Sequence, residues 1–273
     1  MDATNAILLP VAFFVAALLY SSVGHAGASA YLAVMALASI EPAVMKPTAL
    51  TLNILVAAVA SYNFRQAGHF SWRLFWPFAV TSIPCAYLGG AMTAPPTAYK
   101  YVVGAVLLFA AFRMFAKPTE MHLRDLRPPR ALIAFPLGAI IGFLSGLTGV
   151  GGGIFLSPLL VMAGWASIRT ASGVAALFIF VNSSAGLLGM GNSLSRVPPE
   201  ILFWQPVALL GGFLGSYWGS RRLPVVALRR LLAVVLIIAG AKMILTGSQS
   251  KPVAVSPTRA MISGQTNLFG GTP

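Results

Sequence analysis

Five glycines fall within the eight residues Gly146 to Gly153, and this run breaks a chain that is otherwise apolar almost throughout. Each glycine costs a helix about 1 kcal/mol relative to alanine, so no continuous helix passes cheaply through that stretch. The chain around it is 58% hydrophobic and only 8% charged, with a mean hydropathy of +0.84. This composition excludes an ordinary soluble domain and defines an all-α polytopic membrane protein. Inside a bilayer, irregular backbone is tolerated only where protein or a water-filled cavity satisfies its polar groups. The glycine run therefore marks a candidate site.

The hydropathy pattern predicts ten helical segments, at residues 7–23, 28–40, 48–64, 72–93, 98–116, 130–147, 153–165, 171–190, 201–220 and 226–246. Several approach the roughly 20 residues that cross a bilayer as helix. The second and seventh, about 13 residues each, are too short for an ordinary span, and each follows a glycine-interrupted stretch. Short, broken segments at corresponding places in two halves are the pattern of transporters, whose sites form where such helices meet near the midplane. The organisation expected is a first transmembrane repeat at 1–116, a basic cytoplasmic loop at 117–130, a second repeat at 131–246 and a disordered tail at 247–273.

A net charge of +13 in a soluble protein would suggest nucleic acid, but here Lys and Arg fall in short loops, where they set topology. Taking 117–130 as cytoplasmic places 12 of them on that side and 6 on the other, with both termini periplasmic or external. No Lys or Arg precedes the apolar run Ile7 to Tyr20, so this reads as a retained first helix rather than a cleaved signal. Trp72, Trp76, Trp165, Trp204 and Trp218 lie near segment ends, where they are expected to anchor at the interface. One cysteine, Cys85, and three scattered histidines supply neither a disulfide nor a metal ligand set, and no cofactor is expected. The composition is compatible with a homo-oligomer.

The two halves match weakly. A shift of 127 residues gives 6 identities in the 15 positions from Ser22 to Ala36, and Leu74-Phe75-Trp76 and Leu88-Gly89 recur as Leu202-Phe203-Trp204 and Leu214-Gly215. Five segments per half is an odd number, so two such repeats cross in opposite senses and form an inverted repeat.

Gly149-Val150-Gly151-Gly152-Gly153, with Ser157-Pro158-Leu159 after it, resembles the opening of the second half in the sulfite exporter TauE/SafE family of membrane anion transporters. The resemblance covers residues 7 to 246. The first-half counterpart, Ser22 to Gly27, departs from the glycine-rich form at His25 and Ala26, and Tyr31 stands where the second repeat has Pro158. The resemblance implies secondary transport of sulfite, sulfonates or related small organic anions across a plasma membrane, the inner membrane in a bacterium.

The residues themselves favour an anion. A helix that starts inside the membrane presents unpaired N–H groups and about half a positive charge at its N-terminus, and glycine lets an anion approach closely. Candidate contacts are Thr148, Gly149, Gly151, Gly152 and Gly153, faced by Ser22, Gly24, His25 and Gly27, with Asn53 and Asn182 as polar groups of the third and eighth segments. Thr48, Ser172, Ser183 and Ser184 are further hydroxyls on those segments. Lys46 and Arg169, in loops just before them, are candidates for attracting the anion. The five acidic residues, Asp2, Glu41, Glu120, Asp125 and Glu200, all fall in expected loops or termini, which disfavours a cation carrier. His25 is the break residue whose charge changes near neutral pH. Alternatives are a passive anion channel, a non-transporting assembly subunit, and an intramembrane serine hydrolase with Ser29 and His25 on one helical face. For the hydrolase, no orienting third group is visible.

Overall fold

The computed structural model describes residues 3–115, 129–191, 197–221 and 226–249. All ten expected segments are helices: α1 (Ala3–Ser21), α2 (Ala28–Leu37), α3 (Pro42–Gln66), α4 (Trp72–Ala91), α5 (Pro96–Phe115), α6 (Ala131–Thr148), α7 (Gly153–Met162), α8 (Ile168–Gly189), α9 (Ile201–Arg221) and α10 (Val226–Gln249). There is no strand among the described residues. Among the described residues four helices, α3, α4, α6 and α8, are long and apolar enough to cross a membrane. Most of the basic loop expected at 117–130 and of the tail expected at 247–273 lies outside the described residues, as do Asp2, Glu120, Asp125 and His122.

Two boundaries differ from expectation in ways that matter. α3 starts at Pro42, six residues before the expected start, because proline at a first helical position is pre-set for the helix and loses no intrahelical bond there. α8 starts at Ile168, where the Ser167 hydroxyl accepts from the Thr170 N–H at 3.3 Å. Lys46 and Arg169 are therefore helical residues, not loop residues. The two short segments are shorter than expected, at 10 residues each.

Glycine positions at which backbones touch carry much of the packing. α4 lies on α6, with Gly138, Gly142 and Gly146 against the carbonyls of Phe78, Ser82 and Ala86. α9 lies on α1 in the same manner, with Gly211, Gly215 and Gly219 against the carbonyls of Phe14, Leu18 and Ser22. Lipid supplies no hydrophobic drive between helices, so close backbone approach and dispersion hold such pairs. α3 and α8 cross at the centre, and each also packs on one further pair: α8 on α4 and α6, α3 on α9 and α1. α5 and α10 pair with each other, at Gly104 and Gly240. α2 packs on α3 and α10, and α7 on α8.

Of the tryptophans expected at the interface, Trp72, Trp76 and Trp218 are exposed, but Trp204 is buried at 3% exposure. It packs edge-on against Phe13 of α1, with ring centroids 5.3 Å apart. The repeated Leu-Phe-Trp triplets thus differ in setting, because Leu74 and Phe75 are buried and Trp76 exposed while Leu202 and Phe203 are exposed and Trp204 buried.

A carbon added at Gly146 would lie 2.0 Å from the Ala86 carbonyl oxygen, whereas one at Gly247 meets only ordinary contact, 3.4 Å from the Tyr101 ring. Gly146→Ala is expected to destabilise the bundle by about 2 kcal/mol or more, and Gly247→Ala to change it little. Thermal unfolding in detergent, followed by tryptophan fluorescence, checks both.

Candidate functional site

The breaks before α2 and α7 both turn through left-handed residues at corresponding positions. In the first, φ is positive at Gly24, Ala26 and Gly27 (75°, 55° and 128°), and in the second at Gly149, Gly151 and Gly152 (85°, 83° and 81°). The offset is 125 residues at each position, two fewer than the shift that maximises identities. His25 then corresponds to Val150, and Ala26, a non-glycine in the left-handed region, to Gly151. Such a conformation costs an L-residue roughly 1–2 kcal/mol.

Each break is pressed against the other half. Gly24 abuts the backbone of Ser172 in α8, and Gly149 abuts that of Lys46 in α3. Gly151 faces the crossing of α3 and α8, where an added carbon would lie 3.0 Å from both the Asn53 Nδ2 and the Ser183 Oγ. Asn53 and Ser183 are fully buried, and Nδ2 donates to Oγ across 3.4 Å. The amide oxygen of Asn53 has no partner. Exchange of the amide's two ends lets the Ser183 hydroxyl donate to the oxygen instead and frees the NH₂ group, so in either orientation one end of this buried amide is left unsatisfied.

Backbone donors accompany this amide. Among the described hydrogen bonds, none engages the N–H groups of Val150, Gly151, Gly152, Gly153 or Ile154, and α7 has no side-chain cap. The same holds for Ala26, Ala28, Ser29 and Ala30 at the start of α2. By contrast the N–H groups of Gly24, His25, Gly27 and Gly149 bond Ser21, Tyr20, His25 and Ser145 carbonyls at 3.0, 2.9, 2.6 and 2.9 Å. Those four N–H groups are taken up in shaping the turns.

Several other expected contacts are engaged elsewhere. Ser22 Oγ donates to Leu19 O at 2.6 Å, and Thr148 Oγ1 to Leu144 O at 2.6 Å, each within its own helix end. Asn182 is fully buried, but its Nδ2 donates back to Phe178 O at 2.9 Å, along α8. Gly152 and Gly153 pack on Phe178 and Ile179. Ser29 is buried at the start of α2, while His25 lies before that helix, in the break. The two therefore do not share a helical face, and His25 Nε2 instead lies 2.8 Å from the Oγ of Ser157 in α7. Ser157 belongs to the motif after the glycines, one turn beyond Gly153, but its partner is 132 residues away and no local spacing reveals it. Tyr99 of α5 was equally hidden: its hydroxyl donates to Thr148 O at 3.1 Å, tying the edge of the second break.

The two cations have unlike settings. Lys46 is buried at 7% exposure, and its ammonium donates to the carbonyls of Gly89, Gly90 and Met92 at 3.1, 2.9 and 3.2 Å. All three donors of the ammonium are thereby engaged at the C-terminal end of α4, where the helix dipole favours a positive charge. Arg169 is exposed in the first turn of α8. Its charge reaches His69 in the α3–α4 turn, whose pKa is held below the usual value chiefly by burial and then by Arg169, against a bond with the Ser220 backbone that raises it.

Long apolar helices around two half-helices, with unsatisfied backbone donors where these begin, define an integral membrane protein of the transporter class. The chain belongs to the sulfite exporter TauE/SafE family, whose sequence profile matches residues 8–243. It is similar to a probable membrane transporter protein, y4hK, of Sinorhizobium fredii (strain NBRC 101917 / NGR234), being 38% identical over 244 residues that cover 88% of this chain and 99% of that protein. No solved structure matches the chain.

Lys46→Met removes three charge-assisted bonds and leaves the buried end of α4 without donors, so it is expected to lower stability by about 2–3 kcal/mol. An entrance role for the charge would instead weaken anion uptake at unchanged stability. Parallel unfolding and flux measurements on the purified variant separate the two.

Proposed function

We propose that the protein carries small oxyanions, of the sulfite and sulfonate class, across a plasma membrane by alternating access between two inverted five-helix repeats. The observation that carries this reading is the convergence on Gly151 of the Asn53 amide and Ser183 hydroxyl beside the unengaged N–H groups of Val150 to Ile154. An unsatisfied amide in an apolar interior costs roughly 2–7 kcal/mol, and an oxyanion supplies acceptors for several at once. The start of α7 adds the positive end of its dipole. Gly151, Gly152 and Gly153 admit the anion to the backbone, and Ala26, Ala28, Ser29 and Ala30 offer the corresponding N–H groups at α2. No described carboxylate is buried, since Glu41 is exposed and Glu200 half-buried, which suits an anion better than a cation.

Support for the repeat comes from packing. Exchanging α1–α5 with α6–α10 turns α4 on α6 into α9 on α1, α8 on α4 into α3 on α9, and α7 on α8 into α2 on α3, and each of these pairs is present. Gly89 against the Phe143 carbonyl recurs as Gly215 against the Leu18 carbonyl. The basic loop 117–130 between the halves is read as cytoplasmic, with both termini outside.

Purified protein in liposomes is expected to show saturable counterflow of sulfite or isethionate, which a passive pore does not give. Gly151→Leu is expected to abolish it, and Asn53→Ala and Ser183→Ala each to weaken anion affinity about tenfold, or about 1.4 kcal/mol. Correctly inserted protein that exchanges neither anion would end this reading.

A further inference from the structure

Arg65, Arg73, Arg130, Arg169 and Arg221 are all exposed, and the packing gathers them at one end of the bundle. Arg65 lies in the last turn of α3 and Arg73 in the first turn of α4, on either side of the turn at residues 67–71. The His69 carbonyl in that turn presses on Gly173 of α8, and Arg169 at the start of α8 acts on the His69 charge. The same histidine bonds the Ser220 backbone, beside Arg221 at the end of α9. α4 and α6 run in the same direction, since Gly138, Gly142 and Gly146 meet Phe78, Ser82 and Ala86 in order, so Arg130 before α6 lies at this end as well.

The opposite end is built differently. Lys46 near the start of α3, Lys100 near the start of α5 and Lys242 beside the end of α2 all lie there, and each ammonium donates to main-chain carbonyls, of Gly90, Thr246 and Leu37 among others, at 2.9, 3.4 and 2.8 Å. Glu41 before α3 and Glu200 before α9, the described carboxylates, lie at that end too. Among the described residues, no hydrogen bond or ion pair engages any of the five guanidiniums. Two of them rest on rings instead: Arg65 over Trp72, 5.6 Å from its centroid, and Arg221 over Tyr217 at 3.9 Å. A guanidinium held this way keeps its in-plane N–H fork free, and that fork matches the oxygens of a phosphate.

We propose that this end of the bundle docks on anionic phospholipid headgroups of the leaflet it faces, with Arg65 and Arg73, on either side of Trp72, as the principal phosphate contacts. The exposed tryptophans fix the depth. Trp72, Trp76 and Trp218 all stand at this end, and the rings of Trp72 and Trp76 stack with centroids 5.9 Å apart. Exposed tryptophan settles at the level of the headgroups, so arginines on the same turns meet the phosphates. Helix orientation alone calls for positive charge at one end, but not for guanidiniums laid on rings at headgroup depth with no carboxylate beside them. Headgroups with a net negative charge complete such a surface, whereas zwitterionic ones bring a cation of their own. The inference does not depend on what the protein transports.

The test places the full chain in phosphatidylcholine vesicles and adds phosphatidylglycerol with brominated chains, which quenches tryptophan only where that lipid sits against it. Wild-type protein is expected to select brominated phosphatidylglycerol over brominated phosphatidylcholine by about fivefold for each arginine in contact at low salt. The selectivity should shrink as salt rises. Arg65→Gln combined with Arg73→Gln should remove most of it while quenching by brominated phosphatidylcholine stays as it was, and the paired lysine substitutions Arg65→Lys and Arg73→Lys should retain most of it. Equal quenching of wild-type protein by the two lipids overturns the proposal. So does a selectivity that survives the glutamine pair, which would place it elsewhere on the molecule. Displacement of the lipid by inorganic phosphate, beyond what chloride does at equal ionic strength, would mark a site for soluble anions and overturn the lipid assignment.

Discussion

Hydrocarbon offers no hydrogen bonds, and everything else in this structure answers to that fact. A helix meets the demand within itself, which is why the described residues hold ten helices and no strand. Where α1 and α6 end, before α2 and α7 begin, the demand must be met by neighbours. The turns meet part of it internally, through Gly24, His25, Gly27 and Gly149 N–H groups. α3 and α8 enclose the rest, with Asn53 and Ser183 at their crossing. Donors are left over at both half-helix starts.

Close helix approach makes that enclosure possible. α4 against α6 and α9 against α1 each touch through glycines spaced four apart, which would admit no side chain at the contact without displacing a carbonyl. These contacts also tie each half to the other, since α4 belongs to the first and α6 to the second.

Much of this was legible in the sequence, and the failures have a common cause. Apolar run length and glycine clusters are local signals, so the helices, the two short segments and the second break were all readable. Boundaries slipped where an end is set by one residue, as at Pro42 for α3 and Ser167 for α8. The offset of 127 counts identities among apolar residues, whereas the positive-φ residues Gly24, Ala26 and Gly27 recur 125 residues on as Gly149, Gly151 and Gly152. The two copies of Leu-Phe-Trp recur in sequence with opposite burial, which a sequence pattern does not show. Within the site, a buried amide such as Asn53 announced itself by its cost. Ser157 and Tyr99 did not show their contacts, and Lys46 was named for another role, because each acts on a partner 43 or more residues distant, and for Tyr99 and Lys46 the acceptors are main-chain carbonyls that carry no sequence signature.

The Lys46 contact has a mechanical meaning. α3 and α4 are joined at one end by the turn at residues 67–71, and at the other by three bonds from one ammonium to Gly89, Gly90 and Met92. The two helices thus form a frame closed at both ends, with α8 packed against both of its sides. A frame of this kind resists splaying, because opening it strands a charge in an apolar interior. Displacement of α8 relative to its neighbours would break none of these three bonds, so the frame's closure does not depend on where α8 sits.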